Sequence, residues 1–591
     1  MASFSVLSVS ILVIILATLV FRQQRPSKLK QPPRLDETVP YVSNALQFLT
    51  NKKVFMTRLR EALDASQIVQ CRLGPMNIHF VTGGNNVSAI FRSSFTSEPW
   101  ILSVLRHSGG YAPKDLAKFA ADQSGSAHLP RSGTTAKDRS LPAPEERIWH
   151  AKTRLHDEAL IGPRAVDAFS AAFQTFFGDQ LTEASPVGKW VEDVRIFDFL
   201  RQNMSTAATR SALGSRIFEL NPDLTEAFWD YEKYVESLAF GLPHWLSRRA
   251  VRARDRFRGM CLKWYEDADR QFEWDGGELN EAWEPLFGSQ VSRGLARWVK
   301  SFDFSADSIG GIYALFLFGL NSNTVPICTW MMMEIIRDPE LLQAIREEVS
   351  QAEVIDESEG RSLDYRKLVQ LPLLQSVYVE ALRLHVSILI TRTSVEPVTI
   401  GGFNVPAGSV FQAPTHAAHL DETIYGISSA TGYTQKWSQL RYSLFAQAFP
   451  HLVITFTGIY EYEDADQPIN TGGTADHPAN EFWAYRHVKE SEISDALGHT
   501  TKRREFSMAG RGSSFFPYGG GISMCAGRNF AKREVLIAVA MIISRFDVEF
   551  VDWIKPDGTH SERSAWDNSG YANGVAAPPD RDMKIRWQRL W

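Results

Sequence analysis

Four cysteines are spread along this 591-residue chain, and one of them has neighbours suited to chemistry. Phe515 to Arg528 reads FFPYGGGISMCAGR: three consecutive glycines, Gly519 to Gly521, then Cys525 and, two residues on, Gly527. Without Cβ atoms in the way, such a backbone can pass close to a flat ligand. An apolar run from Phe530 to Phe546 follows and reads as a buried helix, which sets Cys525 beside a helix N-terminus. That position lowers a thiol's pKa and offers N–H groups to a thiolate sulfur. A cysteine that ligates haem iron needs both. The plainer reading of the same loop is a structural cysteine in a tight turn. Cys71, Cys261 and Cys328 show no C-x-x-C spacing and read as small apolar packing residues.

Two further segments carry polar groups inside apolar surroundings. VYVEALRLH places Glu380 and Arg383 one turn apart on one helix face, and GLNSNTVP brings Asn323 and Thr324 into an apolar run. The elements that must position these groups are mostly helical. Ser66 to Ser93 holds two β-rich runs, IVQCRLG and IHFVTG; Glu145 to Asp275 is dominated by helical patterns. Ile309 to Val349 predicts one very long helix, and Leu371 to His385 another, followed by β-like turns through Gly402 and Gly408. The expected class is mainly α with small β-sheets, with no linker that splits the chain.

Composition sets the outer bounds. With 44% hydrophobic and 22% charged residues the chain is too apolar to be disordered. Four cysteines cannot staple a disulfide scaffold, and a net charge of -5 gives no global reason to expect nucleic-acid binding. Phe4 to Phe21 carries no charge, and Arg22, Arg25, Lys28, Lys30 and Arg34 follow it among prolines. Eighteen helical residues rise about 27 Å, roughly the apolar thickness of an endoplasmic-reticulum bilayer. Positive charge on the C-terminal flank keeps that side cytosolic. The expectation is a transmembrane anchor over 1–21, a basic, Pro-rich linker over 22–40 and a cytosolic catalytic domain over 41–591.

The cysteine loop resembles the haem loop of the cytochrome P-450 family, F-x-x-G-x-x-x-C-x-G, with Tyr518, Gly521, Cys525 and Gly527 at those spacings. The position two before the cysteine, often Arg or His toward a haem propionate, is Ser523 here. The family's Glu-x-x-Arg pair corresponds to Glu380 and Arg383, with Arg486 in EFWAYRHVK as the third, structural partner; Arg392 resembles the propionate-binding Arg. The long helix departs from the A/G-G-x-D/E-T signature: Ser322 replaces the acid and Asn323 the Thr, with Thr324 next. That variant resembles the sterol 7α-hydroxylase and prostacyclin synthase branch. The W-x-x-x-R landmark is partly met: Trp149 is present, Thr153 stands at the Arg position, and Arg154 or His156 is the candidate substitute.

The resemblance implies the cytochrome P-450 fold, haem b with Cys525 as axial ligand, and a monooxygenase that oxidises a small apolar substrate with O2. Electrons would come from NADPH through cytochrome P-450 reductase, steered by Lys502, Arg503, Arg504, Lys532 and Arg533, in the endoplasmic reticulum membrane. Asn323 and Thr324 are the catalytic candidates, and 100–127 the cover of the distal pocket. The sequence style resembles filamentous-fungal enzymes of specialised metabolism. The missing acid also motivates a haem-thiolate isomerase or dehydratase acting on a peroxide without reductase, and a non-catalytic binder or inactive gene product is the third reading. Residues 428–476 match no family element and read as a surface insertion or retained intronic sequence; an mRNA lacking them would exclude the insertion.

Overall fold

The computed structural model describes residues 30–74, 76–131, 146–241, 245, 247–356, 360–426, 477–494, 500–571 and 575–591. The expected anchor and the 428–476 segment lie outside the described residues. The two β-rich runs form an antiparallel hairpin, β1 (Ile68–Leu73) and β2 (Met76–Val81). With β3 (Phe95–Thr96), β4 (Leu389–Ser394) and β5 (Val410–Pro414) they build one sheet in the order β1-β2-β5-β4-β3. The β5–β2 contact is parallel and the others are antiparallel. The sequence reading did not foresee the sheet at the far end, where Phe546–Ile554 pairs with Asp582–Arg589 and that strand with Trp190–Arg195.

Helices make up the rest of the core. The ones that matter for the site are α1 (Ile148–Leu160), α2 (Pro163–Ala184), α3 (Ile196–Leu213), α4 (Ala306–Asn321), α5 (Thr324–Ile336), α6 (Pro339–Ser350), α7 (Pro372–His385) and α8 (Arg528–Arg545). α5 is apolar nearly all round and α8 is so from Val535 to Ile543, and both contribute to one large hydrophobic cluster. By length and composition the stretch Ala306–Ile336 could cross a membrane, but most of it is buried in this core.

The single helix expected over Ile309 to Val349 is three helices. Pro326 has no N–H to donate toward Ser322, and the hydroxyls of Ser322 and Thr324 bond back to the Phe318 and Leu320 carbonyls at 2.6 and 2.8 Å. The helix therefore breaks at 322–323. The second break comes from an unrecognised cap: Asp338 accepts from the N–H groups of Glu340 and Leu341 at 3.0 and 3.1 Å, with Pro339 at the first helical position.

The segment from Glu98 to Ala121, two short helices, is seated on the start of α4. Asp115 accepts from Ser305 and Ser308, and a Cβ on Gly311 would lie 2.1 Å from the Gly109 carbonyl oxygen. Only glycine permits that approach.

Candidate active site

Cys525 is the exposed one of the four cysteines; Cys71, Cys261 and Cys328 are buried. Its sulfur is accessible although protein surrounds it, as expected of an atom facing an internal cavity. Cys525 N–H donates to the Tyr518 carbonyl at 3.0 Å, closing the loop, and the N–H groups of Gly527 and Arg528 point at the sulfur. Burial raises the thiol's pKa and outweighs those N–H groups and the Arg528 charge. The expected depression is thus not met by the protein alone; a cation at sulfur would supply it.

The glycines divide by cause. Gly519 and Gly521 have φ of +73° and +65°, and a Cβ on Gly520 or Gly521 would strike Phe91 at 2.4 or 2.3 Å. Gly527 has ordinary helical φ, and its Cβ would meet only Cys525 Sγ, at 3.8 Å. Within the protein nothing forbids a side chain there. A flat group held at the sulfur would, so the residues present fit a haem.

Tyr518 hydrogen-bonds through its hydroxyl to that of Tyr378 on α7. Ser523 shares a 2.7 Å hydrogen bond with Ser97. Arg392 on β4 is buried, donates to the carbonyls of Thr391 and Gly520 at 2.9 Å each, and meets no carboxylate among the described residues. Burial lowers its pKa to about 10. An enclosed cation of this kind fits an anionic ligand.

Glu380, Arg383 and Arg486 come together fully buried. Glu380 accepts from Arg383 at 2.6 and 2.9 Å, from Arg486 at 3.0 Å and from the Trp483 N–H at 3.1 Å. His487 Nε2 stands 3.1 Å from the same carboxylate, and Arg511 meets the other ring nitrogen, Nδ1, at 2.6 Å. Burial alone would raise the Glu380 pKa; Arg383, His487 and Arg486 hold it well below the ordinary carboxylate range. The remaining guanidinium protons reach carbonyls from 419 to 481, so residues on both sides of 427–476 join one network.

At the helix break, Asn323 Oδ1 accepts from the Ala576 N–H at 2.9 Å, and Nδ2 has only a 3.5 Å contact with Ser322 Oγ. Thr324 turns the other way, toward Glu534 on α8 at 3.4 Å. Burial pushes the Glu534 carboxyl well above its ordinary pKa. Sequence reading missed Glu534; the available signal was a lone acid in the apolar run of α8. Tyr378 gave no such signal, since a tyrosine in an apolar helix reads as packing. On α1, Trp149 donates its indole N–H to the Phe119 carbonyl at 3.0 Å and Thr153 bonds back to Trp149 at 3.0 Å. Arg154 points outward beside Glu158. A separate cleft of about 400 Å³, lined by Phe48, Lys52, Glu236 and Phe240 among others, shares no residue with the cysteine loop.

A thiol presented from a glycine loop at a helix N-terminus, over a glycine that protein packing does not require, defines a haem-thiolate protein. The comparisons agree. The cytochrome P-450 family profile matches residues 178–428 and 502–563. Cytochrome P-450 monooxygenase calL of Penicillium decumbens is 36% identical over 95% of this chain and 93% of its own length. Cytochrome P-450 monooxygenase fsoE of Humicola fuscoatra is 26% identical, over 89% and 83%. Cytochrome P-450 7A1 of Oryctolagus cuniculus is 23% identical, over 95% and 94%. Among solved structures, retinoic acid bound cyanobacterial CYP120A1 matches with a TM-score of 0.59 at 17% identity, over 95% of this chain and all of that one, a likeness of fold. This chain belongs to the cytochrome P-450 family. It is an oxidoreductase, a monooxygenase whose cofactor is haem with a cysteine thiolate as axial ligand.

Proposed function

We propose that Cys525 is the thiolate ligand and that the enzyme hydroxylates a small apolar substrate in fungal specialised metabolism. O2 and electrons from NADPH through cytochrome P-450 reductase complete the reaction. The observation that carries the ligand assignment is Gly527, whose absent Cβ leaves the sulfur's open side clear. When bound, haem-thiolate supplies the reduction of dioxygen and the oxidation of a C–H bond. The chain's own residues hold the pieces around it. Arg392 would hold an anionic group of the cofactor, and the Tyr378–Tyr518 hydroxyl pair fixes the Tyr518 ring in the cysteine loop. Asn323, held by Ala576, presents its Nδ2–H to oxygen or water in the distal pocket. Thr324, bonded to Leu320 and Glu534, positions the break from below.

The family of the relatives supports an endoplasmic-reticulum location with 1–21 as anchor. For reductase docking, Ile522 and Met524 on the cysteine loop are exposed apolar side chains, with Arg528 close by. Arg503 and Arg504 pair with Glu505 and Glu490 on the neighbouring hairpin, where they remain partly exposed. Lys532 turns inward to Gln375 and Arg533 to Asp167, so neither belongs to that face.

The test is the reduced, CO-bound spectrum: the wild-type protein gives the thiolate-type Soret band and Cys525→Ala abolishes it. Retention of the band in that variant would overturn the ligand assignment. Ser322 in place of the family's helix acid favours a second reading, an isomerase or dehydratase; turnover of a hydroperoxide without NADPH or reductase would select it.

A further inference from the structure

The residues that stand at three haem-edge positions of the family, two of them not the usual cations, are engaged elsewhere in this protein. Trp149 gives its indole N–H to Phe119, Thr153 bonds within its own helix, and Ser523 meets Ser97. Arg392 serves the side of the cavity formed by β4 and Gly520. A dianionic cofactor therefore lacks a cationic partner along α1 unless another residue supplies it. Arg154 does not, because it lies on the outer face of α1 beside Glu158.

Lys152 and His156 are one turn apart on α1. At 100° per residue, Trp149, Lys152, Thr153 and His156 fall within about 100° of the helix circumference, whereas Arg154 lies opposite. Both side chains keep partial accessibility yet are enclosed by protein, as groups lining an internal cavity are. Among the described residues neither has a hydrogen-bond or carboxylate partner. Near the C-terminal end of α1, Asp157 feels the charge of Arg528, which donates to the Cys525 carbonyl at 2.9 Å. We propose that Lys152 and His156 together hold a haem propionate, through the ammonium and an imidazole N–H, in place of the family's tryptophan and arginine.

The titration of both groups agrees with this geometry. Burial without a counter-ion lowers the Lys152 pKa to about 8, and burial with the neighbouring Lys152 charge lowers His156 to about 3. An enclosed ammonium in that state is poorly solvated, and an anion at hydrogen-bond distance restores what water would have given. The imidazole is neutral and still donates one N–H. The charge-assisted pair thus completes the clamp that Arg392 begins on the other side.

The inference rests on haem binding at Cys525, and its test separates the two. The holoenzyme is mixed with an excess of a haem-scavenging apoprotein and haem loss is timed; resonance Raman spectra record the propionate bending modes. Lys152→Met and His156→Leu are expected to lose haem roughly ten- to hundredfold faster, as befits a lost charge-assisted hydrogen bond. They should also shift a propionate mode, while Arg154→Met matches wild type. Lys152→Arg, which keeps the cation, should restore both readouts and keeps the test alive if Lys152→Met fails to fold. Unchanged loss rates would overturn the proposal. So would faster loss with unshifted propionate modes, or failure of Lys152→Arg to rescue, since either marks a packing effect. A wild-type protein with no thiolate-type band would instead sink the ligand assignment.

Discussion

Two sets of enclosed basic side chains, one around Glu380 and one made of Arg392, Lys152 and His156, are built in opposite ways. Around Glu380 the cations share one internal anion: Arg383 and Arg486 bond to the carboxylate, His487 lies against it, Arg511 reaches His487 and the Arg486 carbonyl, and the leftover guanidinium protons sit on carbonyls. Around the cofactor cavity, Arg392, Lys152 and His156 meet no carboxylate among the described residues. A closed network is complete when the chain folds and serves to join segments. An open one is complete only with a ligand. The difference teaches which buried charges hold the fold and which await the cofactor.

Substitutions can break this contrast, starting with the closed cluster. Glu380→Gln leaves two guanidinium groups buried without a counter-charge and should cost about 3–5 kcal/mol. Chemical denaturation of the purified protein measures it; a loss under about 1 kcal/mol would mean the cluster is not closed as described. The same carboxylate sets an acid limit. Its folded pKa lies below its ordinary 4.5, so its stabilisation is present above that value and lost as pH falls through the folded one. In the open cluster, Arg392→Met should speed haem loss roughly tenfold while leaving the denaturation midpoint of haem-depleted protein nearly unchanged. An equal drop in both would place Arg392 with the structural set.

Glu232 is the acidic mirror case, buried beside a Tyr571 hydroxyl 3.0 Å away. Burial raises its pKa to about 7 from 4.5, so the folded state binds the extra proton in that window and stability falls as pH rises through it. Glu232→Gln should flatten that slope, a gain on the order of 1 kcal/mol at pH 8. Melting profiles at pH 5 and pH 8 decide it. The smallest effect is expected from Tyr518→Phe, which keeps the ring and loses one hydroxyl contact, about 0.5–1.5 kcal/mol. A shift of the Soret band in that variant would show that the Tyr378–Tyr518 pair reaches the sulfur's electronic environment.

Much of the site could be read from spacing alone. Cys525, Gly521 and Gly527 follow from a loop whose geometry a short run of residues defines, and Glu380 and Arg383 share a helix face by periodicity. Helix breaks were harder, because the hydroxyl back-bonds at Ser322 and Thr324 and the Asp338 cap act within an otherwise continuous apolar pattern. Partners distant in sequence were out of reach: Tyr378 for Tyr518, Ser97 for Ser523, Glu534 for Thr324 and Ala576 for Asn323. Each pair meets only when separate elements pack.

By itself the sequence determined the chemistry on offer: one cysteine in a glycine loop at a helix start, apolar helices to bury it, and a Glu-x-x-Arg pair to brace them. These are local properties, set by residue type and by spacing within one element. Tertiary structure decided the rest. It engaged Trp149, Thr153 and Ser523 with other partners, turned Arg154 outward, and enclosed Lys152 and His156 with no acid beside them among the described residues. The physical reason is that hydrogen bonds are local in sequence only inside an element. Desolvation, which decides whether a charge needs a partner, depends on everything packed around it.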